Sequence, residues 1–268
     1  MPLTLTLHTS PEVPLEAPCL NPDSLAGLDS DAVTGQKVMH GNREVTVGDF
    51  FKVKGKSDGN LLIEGDLSRV KYIGANMRTG SVTVAGSVGA HLGSGMSGGE
   101  IVVEGDAGDW VAPEMSGGRI TIKGNAGHMV GSAHRGSAAG ITGGEIVIHG
   151  DVRNEAGHAM RNGLIAVGGN SGDFTGVNML AGTILVLGEM GIRAGAGMKR
   201  GSIISMQKAE ILPTFEAACL YRPVFIRMLL LHIRNSGLEI SDDQVNGYYQ
   251  RWCGDTVELN RGEILLFN

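Results

Sequence analysis

Cysteine is scarce in this sequence. Cys19, Cys219 and Cys253 are the only three, and they lie far apart with no Cys-x-x-Cys among them. An iron–sulfur or zinc framework held by this chain is therefore not readable, and so few thiols fit a reducing, cytoplasmic setting. Long apolar runs are lacking as well. Val224 to Ile233 is the most apolar stretch, but it is short and Arg227 interrupts it; no membrane span is expected. Met1 to Ser10 has no basic segment followed by an apolar core, so no secretory signal is expected either. Positive charge is in deficit, with a net charge of −6 and a pI of about 5.7, which argues against a nucleic-acid surface. No Gly-x-x-x-x-Gly-Lys-Ser/Thr occurs, and the many Gly-x-Gly patterns sit at repeat corners, so a nucleotide reading is weak.

Glycine is in excess. There are 43, where an average chain of this length carries roughly 19. The surplus lies mainly in a repeat that runs from Asn60 to Met206. Strand-like runs begin at Leu61, Val82, Ile101, Ile120, Ile146, Ile165, Ile184 and Ile203. The glycines that end them stand at 65, 86, 105, 124, 150, 169 and 188, giving spacings of 21, 19, 19, 26, 19 and 19. Ten residues beyond most of these glycines comes a methionine: Met96, Met115, Met160, Met179 and Met198. Met77 arrives two residues late, and His134 occupies the slot in the fourth unit.

Each run alternates in character, which is the pattern of a strand with two different faces. No helical pattern separates the strands, yet each return has the length a parallel crossover needs. The economical solution is a solenoid, with each strand stacked about 4.8 Å above its equivalent. Two inward columns follow: Leu61, Val82, Ile101, Ile120, Ile146, Ile165, Ile184, Ile203, and Ile63, Val84, Val103, Ile122, Ile148, Val167, Val186. The methionines suit a flexible apolar filler at a wider corner. A soft metal site is the other use of such a stripe, but no Cys or His keeps step with it. The central outward column, Leu62, Thr83, Val102, Thr121, Val147, Ala166, Leu185 and Ile204, is apolar enough to need covering by the C-terminal helix or another subunit.

The predicted organisation is a cap over 1–59, a solenoid over 60–206 and an extension over 207–268. In the cap, Pro2 to Leu7 reads as a strand, 21–28 as a short capped helix, and Glu44–Asp49 with Phe50–Val53 as strand, turn, strand. A cap is needed because a solenoid end exposes core and unpaired backbone. In the extension, Leu212 to Asn235 reads as a helix broken before Pro223. Ser241 reads as the N-cap of a helix through Trp252, and Asp255–Leu259 with Glu263–Phe267 as a terminal strand pair.

Candidate chemistry is thin. The fourth unit is seven residues longer, and the extra material falls in Gly131–Gly140, a loop that leaves the stack and is a candidate partner contact. His128, His134, His149 and His158 occupy different offsets and have no acid or thiol at consistent spacing, so no metal site is read. Asp66, Asp106 and Asp151 recur after the strand glycine, a slot shared with Ser87, Asn125, Asn170 and Glu189; corner hydrogen bonding explains this better than a catalytic carboxylate pair. Catalytic, cofactor-binding and metal-binding residues are therefore expected to be none.

The repeat Gly-Glu-Ile-Val-Val-Glu-Gly-Asp-Ala-Gly, the returns Gly-x-x-Met-x-x-Gly, the leader Val-Gly-Asp-Phe-Phe-Lys-Val and the ending Cys-Gly-Asp-Thr-Val-Glu-Leu-Asn-Arg-Gly-Glu-Ile-Leu-Leu together resemble the C subunit of formylmethanofuran dehydrogenase. The chain looks like the bacterial version, from the formyltransferase/hydrolase complex of methylotrophs. The resemblance implies an all-β-dominated right-handed parallel β-helix of about eight coils of 19 residues, in a cytoplasmic four-subunit complex. Its implied partners are a formyltransferase subunit, a metal-bearing amidohydrolase-like subunit and a third subunit, with no nucleic acid or membrane. The implied reaction takes formyl-tetrahydromethanopterin through formylmethanofuran to formate in one-carbon metabolism, with a methanofuran-type carrier and no cofactor bound by this chain. Alternatives are the C subunit of a molybdenum or tungsten formylmethanofuran dehydrogenase, and a glutamate-synthase-like β-helix spacer. Because the implied carrier bears glutamate chains, Arg135 on the insertion and Arg153 and Arg161 in the next return are the candidate contacts for its tail or for an acidic partner; scattered solvated charge is the rival reading.

Overall fold

The computed structural model describes residues 3–268. Pro2, expected at the head of the first strand, lies outside the described residues. Strands Asn60–Glu64, Ser81–Ala85, Ser97–Val103, Gly117–Ile122, Thr142–Ile148, Asn162–Val167, Thr183–Val186 and Arg200–Ser205 stand side by side in chain order and pair in parallel. The register aligns Leu61, Val82, Ile101, Ile120, Ile146, Ile165, Ile184 and Ile203, and every member of both expected inward columns is buried. A one-residue slip would turn both columns outward, so burial fixes the register.

The terminal segments extend the same sheet. Leu3–Leu7 lies parallel on Asn60–Glu64, and Phe51–Lys54 closes that edge antiparallel, with lysines 52 and 54 guarding it. At the other end Arg261–Phe267 lies parallel on Arg200–Ser205, followed antiparallel by Tyr249–Gly254 and then Glu216–Tyr221. The result is a mostly parallel sheet of 13 strands. Arg43–Thr46, Lys37–His40, Leu15–Glu16 and Val70–Lys71 form a second, four-stranded sheet at the N-terminal end.

Successive units also touch outside the strands. Leu67, Val88, Ala107, Ala126, Val152, Ser171 and Met190 form an unbroken line of parallel bridges. A further line follows the methionines, where the carbonyls of Met77, Met96, Met115, Ile141, Met160 and Met179 each accept an amide from the next unit. The fourth slot thus belongs to Ile141 and not to His134: the inserted residues displace the apolar filler by seven positions, and Ile141 is fully buried. The polar slots make side-chain ladders. Asp106 accepts from the Asn125 amide at 2.7 Å, Asn125 from Asp151 at 2.9 Å, Asp151 from Asn170 at 2.6 Å and Asn170 from Glu189 at 2.8 Å.

The helices are α1 (Ser30–Thr34), α2 (Val224–Asn235) and α3 (Asp242–Asn246). The helix expected over 21–28 is instead a set of turns, because the Asn21 side chain bonds Pro18, Ser24 and Ala75 and competes with helical bonding. The helix expected from Leu212 starts only at Val224, since Glu216–Tyr221 is recruited as a strand against Tyr249–Gly254. For the same reason α3 stops at Asn246 and does not reach Trp252. Asp255–Leu259 is a loop, turned by the Asp255 carboxylate accepting from the Val257 and Gly197 amides, and the true partner of Arg261–Phe267 is Tyr249–Gly254.

Helix α2 covers part of the outward column. Ile226, Leu230 and Ile233 pack on Val147, Ala166, Leu185, Ile204 and Leu265, all buried. Leu62, Thr83 and Val102 remain half-exposed beyond its reach.

Candidate functional site

The insertion gives the stack its longest departure from the repeat. The chain leaves the repeat at Gly131 and rejoins at Ile141, whose amide donates to the Gly131 carbonyl at 3.0 Å. The loop between is tied down by Ala133 donating to His158 and Gly140 donating to Ala159. Its imidazole, His134, stacks on Trp110 with centroids 5.4 Å apart and lies 5.8 Å from His91. His91 stacks on Tyr72 at 4.6 Å with planes 7° apart. Tyr72, His91 and Trp110 follow the spacing of 19 and share left-handed backbone angles, φ 65°, 63° and 60°. Burial, together with His134 and Lys71, holds His91 below the ordinary histidine value against a smaller opposing pull from Asp109. Sequence reasoning missed this column, although its spacing was the available signal.

The three candidate arginines are exposed. Arg135 projects from the insertion. The Arg161 amide bonds the Ile141 carbonyl, where the insertion rejoins the stack. Arg153 stands at the other end of the same return, with its amide on Gly127 and its side chain lining an open cleft shared with Asp106, Asp109 and Asp151. Among the described residues none of the three side chains makes a hydrogen bond or ion pair.

A second polar cluster joins the sheet to α2. The Glu145 carboxylate lies 2.7 Å from His232 Nε2 and 3.3 Å from Arg119 Nη2, and Arg119 donates to Ser236 Oγ at 2.6 Å. Glu145 and His232 are 87 positions apart, so no local pattern signals the pair. Elsewhere in the repeat, His128 Nδ1 accepts from the Asn154 amide at 3.3 Å. His149 sits 3.3 Å from Lys123, and burial followed by that ammonium lowers its pKa. Among the described residues no three His, Cys, Asp or Glu side chains gather as metal ligands, and no helix is long and apolar enough to cross a membrane.

Residues 68–220 match the family described as GXGXG motif. The chain belongs to that family. Two glycines within the matched range show why the repeat needs them. Gly95 and Gly197 are left-handed, with φ 66° and 71°, and a Cβ at either would press on the side chain of Asn76 or Asn178 one unit below.

Relatives narrow the kinship. A chain of the crystal structure of the formyltransferase/hydrolase complex (FhcABCD) from Methylorubrum extorquens with methylofuran superposes with a TM-score of 0.91 at 33% identity, over 98% of each chain. The C subunit of the tungsten-containing formylmethanofuran dehydrogenase 2 from Methanothermobacter thermautotrophicus is 40% identical over 34% of this chain and 35% of its own length. The C subunit of the formyltransferase/hydrolase complex of M. extorquens is 35% identical over 32% and 34%. The chain thus aligns with about a third of the length of these two curated relatives.

Proposed function

We propose that this GXGXG-motif protein is the structural C subunit of a four-subunit formyltransferase/hydrolase complex, converting formyl-tetrahydromethanopterin through formylmethanofuran to formate in one-carbon metabolism. The observation that carries this is the full-length superposition on a chain of the M. extorquens complex, which includes both terminal segments and not only the widespread repeat. The chain is read as a right-handed parallel β-helix of about eight 19-residue coils over 60–206. The line of bridges and the line of methionine carbonyls support that reading, because they hold each unit to the next on more than one side. Residues 1–59 act as the cap and 207–268 as the extension. The chain itself is non-catalytic and cytoplasmic; it fixes the transferase subunit, the metal-bearing amidohydrolase-like subunit and a third partner relative to one another. A methanofuran-type carrier serves the complex.

Arg135, Arg153 and Arg161 are proposed to attract the carrier's polyanionic tail or an acidic partner surface, on the strength of their exposure and lack of internal partners. Replacing all three by Ala in the assembled complex should lower carrier-dependent turnover and its salt sensitivity. Unchanged values with assembly intact would make the three simple solvated charge.

A second reading has an observation behind it: the local identities of 40% to tungsten and 42% to molybdenum dehydrogenase subunits. Native mass spectrometry of the complex purified through this chain, with tungsten and molybdenum analysis, separates the two. Stoichiometric tungsten or molybdenum would move the assignment to the dehydrogenase.

A further inference from the structure

Helix α2 is apolar on two sides. One side is spent on the sheet through Ile226, Leu230 and Ile233. The other presents Val224 (76% exposed), Phe225 (43%), Met228 (70%) and Leu231 (40%), a second stripe at helical spacing. Leu220 is exposed too, on the strand Glu216–Tyr221 that precedes the helix in sequence and, among the described residues, pairs only with Tyr249–Gly254. The far edge of that strand therefore offers free backbone donors and acceptors next to exposed apolar side chains, the combination that sheets normally keep covered.

The charge around the stripe says what kind of cover fits. Residues 216–238, the edge strand and the helix together, contain Arg222, Arg227 and Arg234 against a single carboxylate, Glu216, in a chain of net charge −6. Arg234 is paired with Asp242 and Arg222 donates to Asn246, leaving Arg227 as the arginine of this segment without a partner among the described residues. Arg222, Val224 and Arg227 also line a cleft of about 260 Å³ at the start of the helix. A second copy of this chain is a poor occupant. In a two-fold interface the patch meets itself, which would set Arg227 and Arg222 against like charge, with Glu216 at the start of the edge strand as the one carboxylate facing three arginines.

We propose that the outward face of α2, with the edge strand Glu216–Tyr221, is a docking surface for a different subunit that presents an apolar ridge rimmed by carboxylates. The inference rests on the subunit reading above and adds to it the face used. Carboxylates on the partner would engage Arg222 and Arg227 and set the register of docking, while the apolar stripe supplies the buried centre.

The test is co-expression of this chain with the transferase, amidohydrolase-like and third subunits, read by native mass spectrometry. Two variants are compared with wild type: Val224→Glu with Met228→Glu, and Arg227→Glu. Both alter side chains directed at solvent, so circular dichroism and Tm of the isolated chain should match wild type. The double variant is expected to lose at least tenfold in occupancy of the complex, and Arg227→Glu to lose less and to become less salt-sensitive. Full incorporation of the folded double variant would overturn the docking surface while leaving the subunit reading intact. A wild-type chain that does not assemble at all would overturn that reading, and the docking surface with it. An isolated wild-type chain that dimerises, with the dimer lost in the double variant, would reassign the face to a second copy and also overturn the proposal.

Discussion

His134 lies nearly flat against Trp110, with ring centroids 5.4 Å apart and planes 15° from parallel. The contact joins the inserted loop to an aromatic column that otherwise belongs to the regular repeat. A loop of small residues gains its order from few anchors, and this stack is one of them, worth about 0.5–1.5 kcal/mol beyond the area it buries. His134→Ala should therefore loosen the loop without unfolding the chain. Limited trypsin digestion is the measurement: cleavage after Arg135 should accelerate in His134→Ala, and an unchanged rate would show that the backbone bonds to His158 and Ala159 suffice.

The same column predicts a pH dependence. His91 is held below the ordinary histidine value by burial first, then by His134 and Lys71. A depressed folded value means that the unfolded chain binds the proton more readily. Stability is then full above the unfolded value near 6.5 and is lost as pH falls below it, down to the folded value. His149 is lowered by burial and Lys123 and acts in the same direction. Denaturant titrations from pH 7.5 to 5 should show falling stability in the wild type and a shallower fall in His91→Phe, which keeps a ring in the stack but cannot titrate. A slope identical in His91→Phe would remove His91 from the account.

The inward columns make the strongest stability forecast. Ile122 is fully buried between Val103 and Ile148. An unpaired carboxylate there costs several kcal/mol, on the order of total stability. Ile122→Asp should give no cooperatively folded soluble protein by circular dichroism. Ile141→Met, which restores the residue found elsewhere along that line, should shift stability by less than about 1.5 kcal/mol.

How much of this was legible follows from where the forces act. The stacked strands, both inward columns and the methionine line were readable because each unit repeats the same local solution, so one pattern is seen many times over. The insertion hid one register detail: counting ten residues from Gly124 lands on His134, whereas the filler is Ile141, seven positions on. The terminal segments were misread where pairing decided the outcome. Glu216–Tyr221 has a sequence compatible with helix, and only the neighbouring Tyr249–Gly254 makes it a strand. The Glu145–His232 contact was invisible because nothing local connects a strand to a helix 87 residues away. The basic group was read from the repeat register and from the carrier that the resemblance implies; the structure sets Arg153 beside three aspartates at the far end of its return.

Thiol reactivity should separate the cysteines. Burial pushes the Cys19 thiol up to about 11, while Cys219 is exposed on the edge strand. Since the thiolate is the nucleophile, a maleimide at pH 7.5 should label Cys219 readily and spare Cys19 until the chain unfolds. Peptide mass mapping reads the outcome, and early labelling of Cys19 would contradict its burial.

The corner ladder carries the last prediction. Asp106, Asn125, Asp151 and Asn170 stand one above another, each accepting from the backbone of the next. Strand spacing puts their carboxylates and amides about 4.8 Å apart, so a column of acids alone would repel itself. Asparagine at alternate levels keeps the acceptor and removes the charge. Two substitutions at Asn125 separate these contributions. Asn125→Ala orphans an exposed amide and should cost about 0.5–1.5 kcal/mol at any ionic strength. Asn125→Asp keeps the acceptor but sets three carboxylates in a row, so its cost should be largest at low salt and neutral pH. Raising the salt to about 1 M, where the screening length falls to about 3 Å, should recover most of it. If Asn125→Asp matches wild type at low salt, the alternation is a backbone requirement only and charge plays no part in it.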